Sequence, residues 1–172
     1  MSVEAVIRTY FAGEKFEAGW ILLAGAMALA LAAWLWFGVR EPFARGLAAS
    51  LLLTAALGLS VGGTVYLRTE GQVAGLVELQ RADPARFAAE EGPRVRAVVR
   101  SFGQYRIAYA AAVVLALLFV FVVGTPRLQG AAVGLLLLAA LGLTIDFFAE
   151  HRAVVYQQAL IAQGAIGQGS EP

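Results

Sequence analysis

The sequence predicts an all-α protein, a bundle of four membrane-spanning helices. The 172-residue chain is 60% hydrophobic, with a mean hydropathy of +0.74, whereas ordinary soluble domains are about 45–50% apolar. Runs of about 20 helical residues are needed to cross a bilayer, and none of the apolar runs alternates as a membrane β-strand does. The four runs without a charged residue have 20, 22, 19 and 18 residues: Trp20–Val39, Gly46–Leu67, Ile107–Thr125 and Leu128–Ile145.

These runs predict a single integral membrane domain over residues 1–172, with spans at about 18–39, 43–67, 106–125 and 127–150. Acidic Glu14 and Glu17 precede the first run, which is also longer than the apolar region of a typical signal peptide, so we expect it to be retained. Pro42 and Pro126 are placed to begin the second and fourth helices after short links. Short links predict two antiparallel hairpins.

The basic residues predict the orientation of the spans. Ten lysines and arginines fall on the side of both termini, and three fall on the other side: Arg40, Arg45 and Arg127. Because basic residues collect on the cytoplasmic side, both termini should be cytoplasmic.

The two predicted hairpins resemble each other. When residues 42–68 are shifted by 84 positions onto residues 126–152, 12 of the 27 positions are identical. Both copies run in the same direction, which predicts a parallel repeat about an axis along the membrane normal. The second copy differs at two polar positions, since Asp146 replaces Gly62 and Glu150 replaces Tyr66.

The connection between the second and third spans, about residues 69–105, is predicted to be helical. Asp83 and Pro84 are typical of a helix start, and we expect Gly92-Pro93 to end one helix and start another. The resulting amphipathic helices should lie at the cytoplasmic membrane surface or form a docking surface for a partner. The N-terminal arm predicts another short surface helix.

A polar cluster, "TIDFFAEHR" at 144–152, follows the last apolar run. Asp146 and Glu150 are four residues apart and share a helix face. Because charges within a span are usually paired, we expect Arg68 and Arg106 to be their partners. Tyr105 would assist with its hydroxyl, and Thr64 belongs to a polar stripe at the same depth.

Two interpretations of this cluster stay open. One is a structural belt of ion pairs that holds the helix ends together. The other is a proton- or ion-linked site, because burial can bring a carboxyl into the neutral range of titration. An acid left without a basic partner would favour the second interpretation.

Composition narrows the chemistry. The chain has no cysteine, one histidine and a net charge of +1, so we expect no catalytic residues, no metal site, no cofactor and no nucleic-acid partner. His151 lies about 100° around the helix from Glu150, which disfavours a shared metal site. The sequence therefore does not favour an enzyme.

Two pairs of glycines are spaced for close helix contact: Gly58 with Gly62, and Gly130 with Gly134. Such pairs serve either packing within the bundle or self-association.

One resemblance rests on "GGTVYLRT" at 62–69, on Phe87, Glu91 and Arg94, on Phe102 and Tyr105, and on residues 146–152 with Tyr156. Together these resemble a group of small bacterial four-span inner-membrane proteins to which no activity is attached. The resemblance implies a bacterial inner-membrane location and carries over no functional residue.

The predicted function is a non-enzymatic accessory or self-associating module of the membrane. Its partners would be the lipid bilayer and either further copies or a larger complex. One alternative is a small proton- or ion-linked transporter or channel that uses Asp146 and Glu150. Another is a lipid- or quinone-handling protein with Tyr105, Tyr109 and Phe147 around a headgroup or ring.

Overall fold

The computed structural model describes residues 2–167 as an all-helical bundle. The remaining positions of the predicted domain, 1 and 168–172, lie outside the described residues. Two five-residue π-helical turns extend the first and third helices. The elements in chain order are α1 (Val3–Trp34), the first π turn (Leu35–Val39), α2 (Pro42–Ala82), α3 (Pro84–Leu118), the second π turn (Phe119–Val123) and α4 (Pro126–Ala162).

Local sequence explains where these helices begin. Ser2 caps α1, and its hydroxyl accepts the backbone N–H of Ala5 at 3.3 Å. Prolines start the other three helices, where the missing N–H has no helical partner to lose. Asp83 alone separates α2 from α3, and its side chain accepts the N–H of Arg86 at 3.0 Å.

Four helices are long and apolar enough to cross a membrane, which confirms the predicted number and type of long apolar helices. Their apolar windows are poorly covered by the rest of the chain. The covered share is 22%, 28% and 17% in the windows of α1, α2 and α4, but only 6% in that of α3. A surface this apolar is suited to lipid or to another membrane helix.

Side chains from all four helices form the larger buried core, which lies near both chain ends and the α2–α3 junction. Ile7 and Phe11 of α1 are fully buried there, so the N-terminal arm is the first part of α1 and not a separate surface helix. Other members come from late α2, early α3 and late α4: Val77, Phe87, Val95, Phe102, Ala153, Tyr156 and Leu160.

The connection between the second and third apolar runs is built from the end of α2 and the beginning of α3. Pro93 lies inside α3, so the predicted helix break at Gly92-Pro93 is wrong. Phe87 and Val95, on either side of the proline, are each 1% exposed and pack in the same core. That shared packing keeps the helical path although proline cannot donate a backbone hydrogen bond to the preceding turn.

The helices pack in the spatial order α1, α2, α4, α3. Early residues of α1 lie beside late residues of α2, as the ion pairs of Glu4 with Arg81 and of Lys15 with Glu70 show. The central contact joins α2 to α4, and α3 packs mainly against α4.

The offset of 84 residues seen in the sequence also relates features of the structure. The π turns at 35–39 and 119–123 are equivalent under this offset. Each is followed by a left-handed residue, Arg40 with φ 61° and Gly124 with φ 63°. Each of these is followed two residues later by the proline that begins the next helix.

Glycines permit the close approach of α2 and α4. A methyl group placed on Gly46 would lie 1.9 Å from the carbonyl oxygen of Arg127, and one placed on Gly130 would lie 2.0 Å from that of Phe43. These two contacts exchange with each other under the offset of 84, so the crossing has local two-fold character. The Ser50 hydroxyl donates to the carbonyl of Ala131 at 2.7 Å beside it.

We expect Gly46→Ala to destabilise the protein by about 1–3 kcal/mol, the usual range for overpacking, because the added methyl must push the backbone of α4 away. Thermal unfolding in detergent measures the effect. Gly75→Ala is the matched control, since a methyl on Gly75 meets nothing within 4 Å and alanine favours the helix. Equal melting temperatures for Gly46→Ala and the parent would contradict the close crossing.

Candidate functional site

The first helix pair, α1 with α2, is held together by small residues. A methyl on Gly25 would lie 3.1 Å from the backbone nitrogen of Leu59, and one on Gly58 would lie 3.1 Å from the Cα of Gly25. A methyl on Gly62 would lie 3.1 Å from the carbonyl oxygen of Ala18. The backbones therefore approach closely, as small residues allow between apolar helices.

The second helix pair, α3 with α4, has polar side chains at the equivalent positions. Under the offset of 84, Tyr109 corresponds to Gly25, Gly142 to Gly58 and Asp146 to Gly62. The Tyr109 ring lies against Gly142, where a methyl would be 2.4 Å from the ring carbon Cε1. A tyrosine and a carboxylate thus occupy the interface that glycines close in the first pair.

Asp146 is the centre of this second interface. The Tyr109 side chain is its hydrogen-bond neighbour, but the Asp146 Oδ2 atom is buried and has no hydrogen-bond partner. The charged groups that act on it are the carboxylates of Glu17 and Glu150. No lysine, arginine or histidine of residues 2–167 forms an ion pair with Asp146.

The neighbouring carboxylates do have basic partners. Arg106 Nη1 lies 2.7 Å from Glu150 Oε2, and Arg152 pairs with Glu17. Three acids and two arginines therefore leave one negative charge without a basic partner. We call Tyr109, Asp146 and the Arg106–Glu150 pair the Asp146 site.

The structure brings only some of the predicted cluster together. Arg106 lies with Glu150 as expected, but Arg68 lies 3.8 Å from Glu14 of α1 and pairs with neither Asp146 nor Glu150. Tyr105 is 47% exposed and packs edge-on against Phe102. The Thr64 hydroxyl donates to the carbonyl of Ser60 in its own helix. Periodicity places these side chains at the right depth but does not show which neighbouring helix each one faces.

The predicted packing glycines all lie at helix contacts. Gly58 and Gly62 face α1, whereas Gly130 and Gly134 face α2, with a methyl on Gly134 lying 2.5 Å from the Cβ of Ser50. Within residues 2–167, no group of three or more metal-ligating side chains is arranged to hold a metal ion.

A second polar network, which the sequence analysis did not assign, lies in the larger core. Glu91 is 1% exposed and accepts from Arg94 through Nε at 2.5 Å and Nη2 at 2.6 Å. It also accepts the Tyr156 hydroxyl at 2.7 Å. The Arg94 guanidinium lies 5.5 Å from the centre of the Phe11 ring, and Tyr156 stacks on Tyr10 with centroids 4.3 Å apart. These contacts join α1, α3 and α4.

Burial sets the protonation of this network. Burial, and then the charge of Glu91, raises the pKa of Tyr156 above its ordinary value. Burial acts to lower the pKa of Arg94, but the hydrogen bonds and charge of Glu91 outweigh it and raise that pKa. At neutral pH the Tyr156 hydroxyl therefore stays a donor and the Arg94 guanidinium stays charged. Burial also raises the pKa of Tyr10 to about 12.

One signal in the sequence points to this network. Glu91 and Arg94 are three residues apart, which allows an ion pair along a helix, and they lie between apolar Phe87 and Val95. Their burial depends on Tyr156, 65 residues away along the chain, which no local pattern reveals.

Comparison of the chain with protein families, with curated proteins and with solved structures finds no match in any of the three. Its function is therefore argued from the sites alone.

We expect Glu91→Ala to lower the free energy of unfolding by about 3–5 kcal/mol, because it leaves the guanidinium of Arg94 buried without its carboxylate. Chemical unfolding in detergent micelles measures this loss. Glu90→Ala is the matched control, since Glu90 is an exposed neighbour that pairs only with exposed Arg86; surface pairs contribute little. A loss no larger than that of the control would show that the network is not structural.

Proposed function

We propose that the chain is a non-enzymatic membrane protein that associates with another membrane helix through its second helix pair. In this proposal the four helices cross the inner membrane of a bacterium as two antiparallel hairpins, with both termini in the cytoplasm. The excess of basic residues at the termini and at the α2–α3 junction supports this orientation. The poor covering of the apolar windows supports contact with lipid.

The single observation that carries the association is the unpartnered carboxylate of Asp146. A charge within a membrane span is costly and is usually paired or functional. The charges around Asp146 are two carboxylates, each already held by an arginine. A basic or hydrogen-bond-donating side chain from another helix would complete the site.

The helix beside Asp146 has room for such a partner. The apolar window of α3 is the least covered of the four, and α3 has its main contacts with α4 alone. Its outward apolar residues include Ile107, 73% exposed, and Phe121, 79% exposed. An apolar face next to an unsatisfied polar group is the combination that drives association of membrane helices.

A second candidate function is proton- or ion-linked transport. The same unpaired carboxylate favours it, because Asp146 beside the Tyr109 hydroxyl can exchange a proton or attract a cation without an arginine competing for it. In this candidate the protein works as a homo-oligomer, and its translocation path lies between copies.

Native mass spectrometry of the protein in lipid nanodiscs tests the first candidate. We expect an assembly, either of copies or with a companion chain, that Asp146→Asn weakens because the amide loses the negative charge that recruits the partner. Glu41→Gln is the control, an acid at the far end of α2 that also has no ion-pair partner among residues 2–167.

The outcomes separate the two candidates. A parent protein that is monomeric and without a companion would contradict both. An assembly that survives Asp146→Asn would exclude the association role of this carboxylate. Loss of pH-dependent flux from proteoliposomes in that variant would then favour transport.

A further inference from the structure

A groove with a volume of about 520 Å³ lies between α1 and α2, at the point where charged sequence gives way to the first apolar run. Its lining changes character along α1. Lys15 forms the charged end, and Gly19 and Leu23 continue toward the apolar end, about 12 Å away at 1.5 Å per residue. Phe16, Trp20 and Tyr66 supply aromatic walls.

The charged end is suited to an anion. The Lys15 ammonium lies 4.8 Å from the centre of the Tyr66 ring, which keeps it beside the groove. Its ion-pair partner is Glu70, whose side chain is 80% exposed. Exposed ion pairs are weakly held, so a phosphate can replace this carboxylate while Glu70 returns to water.

The other end is suited to a hydrocarbon chain. Trp20 is 59% exposed and Phe16 is 71% exposed, and a methyl placed on Gly19 meets nothing within 4 Å. Gly19 therefore leaves an open channel between aromatic side chains. Tryptophan and tyrosine favour the depth of lipid headgroups, where the ring is in an apolar layer and the polar tip is wet.

We propose that this groove binds one anionic phospholipid of the cytoplasmic leaflet, with its phosphate at Lys15 and one acyl chain along Gly19 and Leu23. A phosphate joined to an apolar chain matches both ends of the groove at once, which neither a free anion nor a neutral hydrocarbon does. The proposal goes beyond the association role and rests only on the membrane placement given above.

The second helix pair provides an internal comparison. Under the offset of 84, Gln104 stands in place of Trp20 and Glu150 in place of Tyr66. Arg100 stands in place of Phe16, but the aromatic walls are absent, and the Glu150 carboxylate, bound by Arg106, would repel a phosphate. The lipid site therefore belongs to the first helix pair alone.

The test is native mass spectrometry of protein released from nanodiscs that contain equal amounts of phosphatidylglycerol and phosphatidylcholine. The parent protein should retain one phosphatidylglycerol in excess over phosphatidylcholine. Lys15→Gln should reduce that excess about fivefold, the effect of about 1 kcal/mol for one basic group near a lipid surface. Gly19→Leu should reduce it as well, because the leucine fills the channel.

Arg100→Gln is the matched control and should retain lipid as the parent does. No excess in the parent, or parent-like excess in both Lys15→Gln and Gly19→Leu, would overturn the proposal. If Lys15→Gln fails to fold, Gly19→Leu decides, since leucine at that open position meets no neighbour. Displacement of the lipid by added inorganic phosphate would also overturn it, because the site would then recognise the anion alone. The same spectra report subunit number separately, so failure of the association role is distinguishable.

Discussion

The backbone contact of α2 with α4 at Gly46 and Gly130 is the constraint on which the remaining arrangement depends. Between apolar helices in lipid there is little hydrophobic driving force, so helices associate where small residues let their backbones meet. This crossing joins the two central helices, and α1 and α3 are each attached to one of them. Because the contacts at the crossing exchange under the offset of 84, the two helix pairs begin from equivalent positions.

The helix pairs then differ in what lies between their members. Gly25, Gly58 and Gly62 let α1 and α2 approach within backbone contact. In the second pair the Tyr109 ring occupies the space beside Gly142, and Asp146 brings a charge into the interface. A repeat that keeps its frame while exchanging packing glycines for polar groups at one interface points to a function at that interface. The least covered helix, α3, lies beside the same polar groups.

The sequence predicted the all-helical class and the four long apolar helices correctly, because long uncharged runs have few alternatives. It failed where tertiary contacts outweigh local rules. Proline at 93 did not break α3, since Phe87 and Val95 pack on one core. Arg68 shares its depth with Asp146 yet pairs with Glu14, because helix periodicity does not specify the neighbouring helix. The burial of Glu91 needs Tyr156 from α4, which lies beyond any local pattern.

The thermal stability of Asp146→Asn in detergent tests most directly the central claim, that the Asp146 carboxylate has no structural ion pair within the chain. The account predicts a melting temperature equal to or higher than that of the parent, because removing an uncompensated charge relieves its desolvation and its repulsion from Glu17 and Glu150. A loss of stability of about 3–5 kcal/mol, the cost of breaking a buried ion pair, would contradict the account and make Asp146 part of a structural belt.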